Sequence, residues 1–161
     1  MNPPKLTESH RRLQALAGSW KGKETLFASR WESEEKVAQS RVNARISLDG
    51  FYLISDYIQS VDEKVTFRGH GVYGFSPVRG CYTMNWFDTL GETPPANGRW
   101  NTNQLVFESR GENGQARFSY SLTDDDHYSL RIEYSEDGKS WEPFLEGHYG
   151  RCDDGGDGPA Q

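Results

Sequence analysis

Few residues in this chain could do chemistry, and they are scattered along it. Trp20, Gly22, Glu24 and Leu26 recur at a period of two, so a strand that buries Trp20 also buries the Glu24 carboxylate. A carboxylate there must meet a cation, water or a ligand, or keep its proton. The plain structural reading is an arginine partner near a barrel mouth. His70 stands between Gly69 and Gly71, a setting in which a backbone or ligand approaches closely. Its imidazole could act as acid, base or ligand, with Asp56 or Asp88 as carboxylate partner, although the same glycines could simply let a curved strand bend. Tyr82, Met84, Trp86 and Asp88 share one strand face, an aromatic wall ending in a carboxylate. Such a wall could stack a planar ligand and fix one polar end; core packing of Trp86 and loop capping by Asp88 explain it equally well. Near the end of the chain Tyr149 and Arg151 share a face, as do Glu146 and His148. An arginine binds carboxylates bidentately, which suits an acidic ligand, and a pairing of Arg151 with Glu24 or an acidic loop suits the same residues.

The elements that must position these side chains read as strands. Residues 6–17 carry helical spacing, with Thr7 as a possible cap and Gly18 as the stop. From Ser19 the period becomes two. Residues 36–48 place Ala38, Ser40, Val42, Ala44, Ile46 and Leu48 on one face, and Asp49-Gly50 reads as a hairpin turn. Strands follow over 51–61, 64–75 and 81–88, then near 99–100, 104–109, 116–123, 127–135 and 142–151. Gly91–Gly98, with two prolines, reads as the longest loop and a candidate lid. The pattern predicts an all-β fold, an antiparallel up-and-down β-barrel of about ten strands with a short N-terminal helix. Gly18-Ser19-Trp20 after a helix resembles the opening of lipocalin-like barrels. One barrel domain is expected over residues 1–152, with a disordered acidic, Gly-rich tail over 153–161.

Composition narrows the partners. A net charge of −6 offers no basic stripe for a phosphate backbone, so nucleic acid is not an expected partner. No apolar run opens the chain or spans a bilayer, so no membrane partner is expected and a cytoplasmic location follows. Cys81 and Cys152 lack metal-ligand spacing and read as reduced packing residues, and no metal is expected.

Several segments together resemble a known bacterial family. They are Leu16-Ala17-Gly18-Ser19-Trp20-Lys21-Gly22, Leu48-Asp49-Gly50-Phe51 through Asp56-Tyr57, Phe67-Arg68-Gly69-His70-Gly71-Val72-Tyr73-Gly74, Trp86-Phe87-Asp88-Thr89-Leu90-Gly91, Ser135-Glu136-Asp137-Gly138-Lys139-Ser140-Trp141 and Glu146-Gly147-His148-Tyr149-Gly150-Arg151. Their order and spacing are similar to those of domain of unknown function 1579, over about residues 8–151. Thr89 departs mildly from the serine common there. The resemblance implies a lipocalin- or calycin-like barrel and carries no activity with it. Two further likenesses concern the last strand. Fatty-acid-binding barrels hold a carboxylate with Arg and Tyr two residues apart, in the order opposite to Tyr149 and Arg151. Nitrobindin-type barrels ligate haem through a His near the C-terminus, the place of His148.

The leading expectation is a barrel that binds a small hydrophobic molecule, aromatic or carboxylate-bearing. Trp20 and Trp86 would form its walls, and Glu24, His70, Asp88, His148, Tyr149 and Arg151 its polar contacts. No cofactor is required by this reading. The alternatives are acid–base catalysis in the cavity by His70, Asp88, Glu24 and Asp56, haem binding, and a self-filled barrel acting as an interaction module, for instance a homodimer.

Overall fold

The computed structural model describes residues 2–153, so the tail from 154 onward lies outside the described residues. Eleven strands run in sequence: β1 (Gly18–Leu26), β2 (Lys36–Ser47), β3 (Tyr52–Val61), β4 (Lys64–Ser76), β5 (Cys81–Asp88), β6 (Gly91–Glu92), β7 (Ala96–Asn101), β8 (Gln104–Gly111), β9 (Gly114–Asp124), β10 (His127–Ser135) and β11 (Glu142–Arg151). Ten of them form a closed antiparallel ring. Each pairs with its sequence neighbour, β5 pairs with β7, and β11 returns to β1 with Trp20 opposite Arg151 and Glu24 opposite Gly147. The two-residue β6 pairs with Phe87–Asp88 of β5, on the edge that β7 takes at Tyr82–Met84, and so continues the place of β7 in the wall. The antiparallel up-and-down barrel read from the alternation is therefore the observed fold, and its closure leaves the ring without free edges.

Because all neighbours are antiparallel, the connections divide between two ends. One end is closed by the N-terminal segment and receives the turns at 48–51, 77–80, 102–103 and 125–126. The other receives 27–35, 62–63, 89–95, 112–113 and 136–141. The segment predicted as a lid over 91–98 is mostly wall instead, since β6 and β7 take up all but residues 93–95 of it. The longest connection between the described strands is 27–35. It has no turn signature of its own and is tied to the barrel by Phe27 N–H donating to the Phe144 carbonyl. The predicted strand face of residues 36–48 ends at Ser47. Leu48 turns outward with φ 49, opening a one-turn 3₁₀ helix over Leu48–Gly50 in place of a two-residue hairpin.

The predicted three-turn helix is one α-turn, α1 (Glu8–Arg11), followed by a 3₁₀ segment, Arg12–Leu16. It works as a plug. Leu13 and Leu16 are buried against Trp20, Leu53, Tyr82 and Leu105, and Trp20 Nε1 donates to the Leu16 carbonyl at 3.1 Å. Gly18 begins β1 at φ +130, a backbone state that side chains resist, and a Cβ there would overlap the Arg151 guanidinium.

His10 is buried in this plug between the edges of Phe51 and Phe75. Its Nδ1 accepts the Thr7 backbone N–H at 3.0 Å, which requires that nitrogen to carry no proton. Burial, and secondarily the Arg11 charge, hold its pKa below the usual 6.5. The unfolded chain then binds a proton that the folded one excludes, so this contribution is complete above about pH 6.5 and is lost as pH falls below it. Thermal melts over that range are expected to show a steeper acid-side loss of Tm for the wild type than for His10→Gln, which keeps a side-chain acceptor for Thr7 but cannot titrate.

Candidate functional site

Inward-facing side chains differ sharply between the two halves of the barrel. Toward the plug, Trp20, Leu53, Tyr73, Met84, Phe107 and Tyr128 are buried and packed together. Toward the other end, Tyr57, Phe67, Trp86 and Tyr134 also occupy inward positions of the ladder but remain half-buried. The second half is therefore the open one, and its floor is polar.

Glu24 forms that floor. It is 1% exposed, and its described hydrogen-bond partners are all neutral. The Tyr57 hydroxyl donates to its two oxygens at 2.7 and 2.9 Å, Gln59 Nε2 to Oε1 at 3.1 Å, and the Tyr149 hydroxyl to Oε2. Gln59 Nε2 also donates to the Tyr57 hydroxyl at 2.9 Å, so the donors hold one another. Burial, then the adjacent Glu24 charge, push the Tyr57 and Tyr149 phenols well above their usual range, and both remain donors. Tyr149 reaches the carboxylate because β1 and β11 are bare beneath it: a Cβ at Gly22 or Gly147 would overlap its ring. Beside this network Ser40, 5% exposed and opposite Gly22 and Gln59 in the ladder, keeps a buried Oγ with no hydrogen-bond partner.

Trp86 forms the wall above the floor. Its indole lies flat across β4, where a Cβ at Gly69 would overlap the ring and one at Gly71 would crowd it. The two glycines flanking His70 thus make room for Trp86 from the inside. Trp86 Nε1 donates to Asp88 Oδ2 at 3.0 Å, and the Leu90 backbone N–H donates to Oδ1 at 2.8 Å. Tyr57 meets Trp86 and Phe67 with ring centroids 6.0 and 5.9 Å apart. Across the mouth, burial and then the Asp88 charge raise the Tyr134 phenol, and Trp31 from the 27–35 loop packs against Tyr134 at 4.9 Å.

Other expected site residues lie elsewhere. With Gly69 and Gly71 inward, His70 faces outward. Its Nδ1 is 2.6 Å from Asp56 Oδ1, and Arg45 is 3.5 Å from the other Asp56 oxygen, all on the outer wall. His70 and Asp56 do meet, but on the outside of the barrel, and Asp88, on the inner face, is not the partner of His70. Strand parity likewise puts His148 outside, 73% exposed beside Glu146, so it cannot serve as an axial ligand to haem held inside the barrel. Arg151 neither pairs with Glu24 nor joins Tyr149 in a carboxylate clamp. It caps the closed end, stacked 4.2 Å over Trp20, with its guanidinium donating to the Asp125 and Ala17 carbonyls. Trp20 is consequently core and plug contact, not ligand wall. Among the described residues, no three His, Cys, Asp or Glu side chains converge as a metal site would need, and no helix is long and apolar enough to cross a membrane.

Tyr57, Gln59, Ser40 and Tyr134 were not among the residues singled out from the sequence. Tyr57 and Gln59 follow Leu53 and Ser55 at period two, a signal that was available. Ser40 was read as inward without a role. On the outside, β8 to β11 form a shallow groove, in which Arg117 pairs with Glu133 and Arg131 with Glu146.

No curated protein matches the chain. Among solved structures, Rv2717c from M. tuberculosis has a TM-score of 0.71 at 16% identity, covering 92% of this chain and 99% of that one. The S-type phycobiliprotein lyase CPES from Guillardia theta has a TM-score of 0.65 at 10% identity, covering 92% and 98%. At these identities the likeness is one of fold. The family described as protein of unknown function (DUF1579) matches residues 5–151, which take in the plug and the entire barrel, and the chain belongs to that family.

Proposed function

We propose that the open half of the barrel binds a small, mainly aromatic molecule. The observation that carries this reading is the set of inward rings, Tyr57, Phe67, Trp86 and Tyr134, left half-buried above a fully buried polar floor. Apolar walls with a few fixed polar groups are the usual build of a small-molecule site. The fold likeness to a phycobiliprotein lyase supports a ligand-holding use of such a barrel. In this reading Glu24 is a positioning residue: it fixes the tyrosines and Gln59 that form the floor.

Titration with the neutral dye N-phenyl-1-naphthylamine is expected to give saturable fluorescence enhancement. Trp86→Ala should weaken dye binding about tenfold, because the main wall is lost. Enhancement that does not saturate, or is indifferent to Trp86, would overturn the reading.

Replacement of Glu24 separates floor from wall. Glu24→Leu leaves three donors without their acceptor and is expected to cost about 3 kcal/mol in urea unfolding. Glu24→Gln retains an acceptor and should cost about half as much. An unchanged urea midpoint in Glu24→Leu would contradict the described network.

A further inference from the structure

We infer that the molecule bound in the open half is an organic cation, a protonated amine carried on an apolar body. The inference rests on the binding reading above and adds the sign of the ligand's charge.

Among the described residues, the buried or half-buried charged side chains at inward positions of the open half are both acidic, Glu24 and Asp88, while Lys36, at the outermost inward position of β2, is exposed. Glu24 is enclosed by its three donors, whereas Asp88 stands higher in the wall. Each of its oxygens accepts one hydrogen bond, which leaves acceptor capacity on both. Two rim cations lie close by and are already engaged. Arg30 pairs with Glu136 and lies over the Trp31 ring, and Lys36 pairs with Glu32 at 3.2 Å. An anionic ligand would meet repulsion there without a free positive partner among these groups.

Two independent features point the same way. The rings around Asp88 come from opposite sides of the mouth, Tyr57 and Trp86 from one and Tyr134 and Trp31 from the other. The faces of such rings attract a cation, most strongly where water is partly excluded. The loops at this end are also acidic. Four of its five connections, 27–35, 62–63, 112–113 and 136–141, carry eight acidic and two basic side chains, a net of −6. A mouth lined by one sign of charge with low-dielectric walls raises the local concentration of the opposite ion.

The test uses three probes of nearly equal size, 1-naphthylmethylamine, 1-naphthylmethanol and 1-naphthoate, each competing with N-phenyl-1-naphthylamine on the full chain. The amine is expected to bind about tenfold more tightly than the carboxylate, with the alcohol between them, and its advantage should shrink as salt is raised. Asp88→Asn should bring amine and carboxylate to within about threefold of each other. If the dye binds but the alcohol or carboxylate matches the amine, or none of the three displaces it, the assignment of a cation is overturned while the cavity reading stands. If the dye itself does not bind, the cavity reading fails and the cation with it. The wild-type comparison decides the sign of the charge even if Asp88→Asn does not fold.

Discussion

A carboxylate taken almost wholly out of water inside a β-barrel must be matched by its surroundings, and at Glu24 the match is made by neutral donors. Tyr57, Gln59 and Tyr149 come from β3 and β11, on the two sides of the strand that carries Glu24. The desolvation cost is met without a buried cation, so the interior stays electrically one-sided. Much else follows from this choice. Tyr149 must cross two glycines to reach the acid, its ring stacks on Tyr128 with centroids 4.7 Å apart, and Tyr128 meets Trp20 in turn. The polar floor and the aromatic core are therefore one packed unit, and the plug rests on its far side.

That unit divides the barrel. Below it, large rings and aliphatic side chains pack the closed half. Above it, bulk is supplied by Trp86, laid against the strand on which Gly69 and Gly71 make room. Small residues in one strand and a large one in its neighbour shape that wall. The acidic residues at the mouth, Asp88 within and the loops around it, extend the sign set by Glu24 out to the rim.

The fold was legible in the sequence because period-two alternation and turn signals are local. The alternation from Trp20 placed Glu24 inside correctly, and that from Tyr82 put Trp86 and Asp88 on one face, where they share the open half. What was not legible depended on contacts across strands. Which residues meet Glu24 is set by the register of β1 against β11 and of β2 against β3, and that is not written in any single segment. His70 drew attention through its flanking glycines, yet those glycines answer to Trp86, a neighbour in space whose approach the sequence does not announce. Arg151 shares an inward parity with Tyr149, but one further turn of the ladder carries it past the cavity to the closed end, where carbonyls and Trp20 take it up.

The pairing of β1 with β11 is the seam at which the first and last strands complete the ring. Were it to part, two strands would present unpaired N–H and C=O groups, which are templates for edge-to-edge association between chains. The bond from Tyr149 to Glu24 lies across this seam and joins residues 125 positions apart. Tyr57, bonded to the same carboxylate, draws in a third strand. Glu24 is thus also a clasp, which fastens the first strand of the ring to the third and the last.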